Sequence, residues 1–267
     1  MGALINGVGG RGARLMLGVL AAAAVLLIAG PALAQVPAVV PPTPTGLQIN
    51  LGAPGVAGGE ASGVMKLTVM LTLMALLPAL LMTMTCFTRI IIVFSFLRLA
   101  LGTQQTPPNQ VLIGLSLFLT LFVMAPTLTQ IEREAYTPYV EGKMDTTAAM
   151  EAGSVPLRTF MLKQTREKDL ALFYKVSGQA KPTTVEEVPM VIVIPAFIIS
   201  ELKTAFEIGF LIYIPFLVVD LLVASILMSM GMMMLPPVVI SLPFKLLLFI
   251  MIDGWALIVG TMIQSFG

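Results

Sequence analysis

Charge is spread so unevenly along this chain that its distribution limits the fold more than any motif does. Seventeen of the 29 charged residues fall between Glu132 and Glu187, nine acidic and eight basic. From Leu67 to Ala100 the only charges are Arg89 and Arg98, and the apolar runs of the last eighty residues enclose Asp220, Lys245 and Asp253. As a helix, the segment from Leu67 to Thr88 would extend about 33 Å, enough to cross the hydrocarbon of a bilayer. With 57% apolar residues, 11% charged residues and a mean hydropathy of +0.97, a 267-residue chain is too apolar for an ordinary soluble domain. The expected fold class is all-α, a helical membrane protein.

Four transmembrane helices are expected in the mature chain: Leu67 to Thr88, about Val111 to Ile131, about Phe210 to Met233, and Ser241 to Ile263. The turn-forming run Gly102 to Asn109, with Pro107 and Pro108, separates the first two, and Leu235-Pro236-Pro237 separates the last two. Arg89 and Arg98 have no acid between them, so the positive-inside rule puts both on the cytoplasmic side. The charge-dense segment 132–187 is then a small external, periplasmic module. Leu157, Phe160 and Met161, and again Leu170 and Phe173, sit at helical spacing, so two short amphipathic helices are expected in it. Its run Arg166-Glu167-Lys168-Asp169 reads as a solvated helix face. Met190 to Phe206 is apolar but contains Pro195, Glu201 and Lys203, with Glu207 following, so a lipid-facing span would be costly and a segment packed on protein, re-entrant in form, is expected.

The N-terminus reads as processing. Arg11 and Arg14 precede the apolar run Leu15 to Ala29, and Ala32-Leu33-Ala34 is a small-x-small site, so cleavage is expected between Ala34 and Gln35. The glycine pattern Gly7 to Gly12 follows no strand and opens no βαβ unit, so it is not a dinucleotide site. Five prolines and six glycines in residues 35–64, with the single charge Glu60, describe a flexible linker. The expected organisation is thus signal peptide 1–34, linker 35–64, first helical hairpin 65–131, periplasmic helical module 132–187, and second hairpin 188–267.

Composition also excludes chemistry. A net charge of +1 offers no field for nucleic acid. With no histidine and only Cys86, His-based zinc sites, Ser-His or Cys-His nucleophiles and an internal disulfide are ruled out. No metal or cofactor is expected. An ideal hairpin turning near Pro236 puts Asp220 and Lys245 about 24 and 13 Å from the turn, an offset of about 11 Å that a lysine cannot close. Their pairing would require a staggered hairpin or two neighbouring subunits. The same arithmetic sets Asp253 level with Asp220, but neither carries the sequence setting of an intramembrane aspartyl protease.

Met228, Met230, Met232, Met233 and Met234 crowd around Gly231 just before the double proline. Methionine fills irregular lipid or helix contacts in many proteins. Three consecutive methionines cannot share one helix face, however, and the flanking Gly and Pro favour a loop or a broken helix. Irregular backbone at membrane depth is tolerated where it is buried in protein or lines a cavity, and thioethers are soft and adaptable, so the cluster suggests a seal at a pore. Ser225 and Ser229, four residues apart, would allow close helix approach in an oligomer.

Several strings taken together, Thr88 to Arg98, Gly102 to Gln110, Pro195 to Phe210 and Asp220 to Pro237, resemble the FliP family of the type III secretion export gate, and the likeness runs from about Val64 to the C-terminus. The signal peptide favours the flagellar branch over the injectisome one. The resemblance implies a homo-oligomer, a pentamer in characterised members, that assembles with FliQ and FliR into a closed helical gate. It also implies partnership with FlhA, FlhB and FliO, and passage of unfolded flagellar export substrates in the bacterial inner membrane at the flagellar basal body. In the family the methionine loop forms a gasket, matching Met232, Met233 and Met234 with Met228 and Met230 beside them, and the intramembrane charges match Asp220 and Lys245. The expected function is therefore a non-enzymatic export-gate subunit. A proton-coupled secondary transporter using Asp220 and Asp253 is the alternative, and a passive scaffold is a third reading.

Overall fold

The structure, a computed structural model, describes residues 60–103, 105–178, 188–232 and 235–267. The expected signal peptide with Ala34 and Gln35, the linker up to residue 59, and Met233 and Met234 lie outside the described residues. Every regular element among those described is helical: α1 Glu60–Met84, α2 Phe87–Leu101, α3 Asn109–Ile131, a π-helical turn Glu132–Tyr136, α4 Thr137–Val140, α5 Thr146–Gln164, α6 Glu167–Ser177, α7 Met190–Ser229, α8 Pro237–Met251 and α9 Gly254–Gln264.

The chain divides into two units, residues 1–79 and 80–267. In the first, the described part of α1 is apolar and carries exposed Met65, Leu67, Val69 and Leu71. The helix starts at Glu60, inside the segment expected to be linker.

The second unit is built around α2 and α7. In α2 the buried residues Phe87, Ile90, Val93, Phe94, Leu97, Ala100 and Leu101 recur every three or four positions and form one apolar stripe. Each large side chain buried there contributes about 1.5–3 kcal/mol relative to exposure. Opposite lies α7, where Gly209 sets the approach: a Cβ at that position would stand 2.6 Å from the Phe96 ring. One turn away, Phe96 meets Phe206 edge-on at 5.4 Å.

Three expectations give way to longer or more bent helices. The second span does not stop at Ile131, because α3, the π turn and α4 continue as a 32-residue apolar helix to Val140. Pro138 has no N–H and its ring would collide with a carbonyl in regular α geometry. The backbone widens just before it, where Thr137 N–H donates to Glu132 O. Met190 to Phe206 is not re-entrant; it is the first part of α7, a 40-residue helix that carries Pro195 and Pro215 internally. At about 60 Å, α7 is twice as long as a bilayer core is thick, so its N-terminal half, which carries Glu201, Lys203 and Glu207, need not face lipid. Finally, the expected span Ser241 to Ile263 is broken, α8 and α9 meeting at 63°. Four spans were expected. Among the described residues two helices are long and apolar enough to cross a membrane, or three if the bent pair acts as one.

The charged module holds more than two short helices, with α4 and the π turn ahead of α5 and α6. Asp145 caps α5, its carboxylate accepting from Ala148 N–H at 3.0 Å. The run Arg166 to Asp169 is not a free solvated face. Arg166 pairs with Glu207 at 2.5 Å, its backbone N–H donates to Ser200 Oγ, and that hydroxyl donates to Asp169 at 2.7 Å. These bonds fasten the α5–α6 corner to α7.

Candidate functional site

The methionine cluster straddles the end of α7. Met228 is on the helix, Met230 is its C-cap and Met232 follows Gly231. Gly231 has φ +74°, a left-handed conformation that glycine alone adopts freely. Met232 N–H donates to Leu227 O at 3.0 Å and Gly231 N–H to Met228 O at 3.1 Å, the paired bonds of a Schellman stop. The chain re-enters helix at Pro237, after Pro236 as N-cap of α8. The helix therefore ends inside the methionine cluster, which turns its side chains outward. Met228, Met230 and Met232 are 59%, 61% and 42% exposed. A thioether carries no titrating proton and binds hard cations poorly, so such a surface can pack and deform but cannot catalyse acid–base chemistry.

Beneath the loop, Lys245 and Asp220 form an ion pair within a single chain, Nζ to Oδ2 at 2.6 Å. Lys245 also donates to Ala100 O at 3.1 Å, a carbonyl of the last turn of α2, and Ser241 donates to the second carboxylate oxygen of Asp220. The knot joins α2, α7 and α8. The offset expected between these two residues does not exist, because the ideal hairpin was measured from Pro236 and counted the loop as helix. Asp220 lies nine residues before Ser229 and Lys245 eight after Pro237, so from the helix ends they stand about 13.5 and 12 Å from the loop. Neither a staggered hairpin nor a second subunit is needed.

Asp253 is not level with Asp220 in a common helix. It is exposed at the joint between α8 and α9, with φ +50° and no side-chain capping bond. Asp220 bonds Lys245 and Ser241 instead, so the two aspartates are not brought together in the way a shared proton site would require.

Arg89 and Arg98 part company as well. Arg98 is half-buried and donates to Asn109 Oδ1 at 2.5 Å, at the turn after α2. Arg89 is a buried residue of α2, 2% exposed. Its Nε donates to Glu201 Oε2 at 2.8 Å, a second contact links Nη2 to Glu201 Oε1, and Gln164 and Ser265 take the remaining donors. The sequence marks Glu201 only as a charge that makes a lipid-facing span costly, and it does not mark Gln164, Ser241 or Ser265 as partners. Ser241 could have been marked so, since it precedes Lys245 by four residues and so shares its helix face. The Arg89–Glu201 pair spans 112 positions and leaves no local trace. The available signal was that each is a charge in an apolar segment that needs an opposite partner. Among the described residues no group of His, Cys, Asp and Glu could hold a metal ion.

Comparison with known proteins bears on what this arrangement serves. The sequence model of the FliP family matches residues 70–262. A relative named flagellar biosynthetic protein FliP from Bacillus subtilis is 56% identical over 207 residues, 78% of this chain and 94% of the relative. Proteins of the same name from Pectobacterium carotovorum and Caulobacter vibrioides are 57% identical over 189 residues and 47% over 251. These alignments take in 71% and 94% of this chain, and 73% and 90% of those relatives.

Proposed function

Because this chain belongs to the FliP family, we propose that it works in flagellar protein export as a structural, non-catalytic subunit of a membrane-embedded gate. Several copies, five by family resemblance, surround a common axis together with FliQ- and FliR-like partners, and FlhA, FlhB and FliO belong to the same apparatus. The setting is the inner membrane at the flagellar basal body, and the cargo is unfolded flagellar protein.

The observation that carries this reading is the methionine cluster at the end of α7, with Met228, Met230 and Met232 exposed on a helix stop and Met233 and Met234 completing the run. In a ring of copies these unbranched side chains would meet and exclude ions and water at rest, then yield around a polypeptide of any sequence. Asp220 and Lys245 hold the base of the loop: their bonds fasten α7 to α8 and α2, so the loop ends stay put while its side chains move. Neither charge is asked to carry protons. The driving energy comes from other components, since no phosphate-binding loop occurs in the sequence.

The test is electrical. Purified assemblies with Met228, Met230 and Met232 to Met234 replaced by alanine, placed in planar bilayers, are expected to assemble normally and conduct ions more strongly than the parent. Unchanged conductance with intact assembly removes the sealing role.

A further inference from the structure

The C-terminal helices fit a membrane badly as they stand and well if rejoined. Fifteen-residue α8 is about 22 Å long, short of the roughly 30 Å hydrocarbon core. Run on through α9 to Gln264 it would be about 42 Å and mostly apolar, with Lys245 and Asp253 as its two charges. The break spans two exposed residues, Ile252 and Asp253, and Asp253 has φ +50°, a left-handed conformation that costs any L side chain more than glycine, though aspartate less than most. Glycine would take that conformation at no steric cost. The glycine stands one place later, where a Cβ would come 2.1 Å from the Phe249 ring. Gly254 thus permits the bend, while Asp253 resists it.

The bent position is held from the far end. Arg89 Nη1 donates to both Ser265 O and Ser265 Oγ at 3.1 Å, its guanidinium carbon lies 3.9 Å from the Phe266 ring centre, and Gln164 Nε2 donates to Phe266 O at 3.2 Å. With Glu201 and Gln164 Oε1 on the other nitrogens, all five N–H donors of Arg89 are used. Ile258, Met262 and Phe266 supply the buried face of the segment. A strained joint at one end and a specific catch at the other describe an element with two positions rather than one.

We propose that residues 252–267 are a strap: bent at Asp253 and latched on Arg89 in the packed state, and continuous with α8 as one membrane-crossing helix when the latch opens. The straight form satisfies the length requirement of the bilayer, and the bent form satisfies the donors of Arg89. The equilibrium is set by Asp253.

Thiol reactivity in the full chain tests this. In a Cys86→Ser background, a reporter thiol is placed on the strap (Met262→Cys, parent residue 1% exposed) or in the core of α7 (Ala205→Cys, parent residue fully buried). Labelling by N-ethylmaleimide is timed in phospholipid vesicles. Asp253→Ala, which raises the cost of the left-handed conformation, is expected to speed labelling at position 262 about three- to tenfold. Asp253→Gly, which removes that cost, is expected to slow it, with position 205 unreactive throughout. Labelling at 262 that ignores both Asp253 variants, or that rises and falls together with labelling at 205, overturns the strap.

Discussion

Lys245 is almost wholly buried while Asp220 keeps 23% of its side chain exposed, and this asymmetry sets the expected cost of breaking their pair. Asp220→Leu leaves the ammonium in an apolar setting with only Ala100 O as partner. Removing one member of a buried pair costs about 3–5 kcal/mol, and this is the case to which that range applies. Lys245→Met leaves a carboxylate that water can reach and that still accepts from Ser241. Its loss is set by one charge-assisted hydrogen bond, about 1.5–3 kcal/mol. The double variant Asp220→Leu/Lys245→Met contains no stranded charge and should be more stable than Asp220→Leu alone, with a coupling of about 1–3 kcal/mol. Exchanging the charges should not restore stability, because a carboxylate at 245 would face the Ala100 carbonyl, which cannot donate to it. Equilibrium denaturation of the detergent-solubilised chain measures all of these. The signal is Trp255, the sole tryptophan, which packs edge-on against Phe249 at 5.5 Å. Losses that add to within about 0.5 kcal/mol would show that the two residues do not act as one unit, and recovery by the charge exchange would show that Ala100 plays no part.

Two further outcomes follow from the packing and the module. Gly209→Ala should separate α2 from α7 and destabilise the chain by about 1–3 kcal/mol through overpacking, with partial rescue by Phe96→Ala; denaturation with the same fluorescence signal reads both. The Thr147 hydroxyl and the Ala148 N–H hold the Asp145 carboxyl below its ordinary value of 3.8. Its cap contribution to α5 is therefore complete above that value and disappears as pH falls through the lower folded-state value. Amide exchange in the first turn of α5 should accelerate below about pH 4, and Asp145→Asn should remove that acceleration.

What could be seen in the sequence depended on whether the relevant physics was local. The apolar runs, the charge-dense module and the helix break at the methionines rest on neighbours within a few residues, and the helix does stop at Gly231, in a left-handed conformation. One proline misled. Pro195, with the nearby charges, sets Met190 to Phe206 apart as its own segment in the sequence, yet one helix runs through it and through Pro215 as well. Each proline costs a single backbone hydrogen bond, while continuing the helix keeps the rest of its apolar surface packed. The charges misled in a different way. A positive-inside argument treats Arg89 as a surface label, whereas Glu201, more than a hundred positions later, turns it into a core residue. For Asp220 and Lys245 the residues were right and the distance wrong, because the loop between Ser229 and Pro237 adds chain without adding height.

If methionines of adjacent copies meet on a shared axis, Met232 of one copy must lie close to Met232 of the next. With Cys86 replaced by serine, a cysteine at position 232 in the assembled complex should join neighbouring chains on mild oxidation. A cysteine at Val191, 83% exposed near the start of α7, serves as the comparison and should join them far less. Efficient joining through 232 that also lowers the passage of exported protein is the predicted result. If chains in intact complexes join through 191 and not through 232, the methionine cluster does not line a common conduit and the account fails.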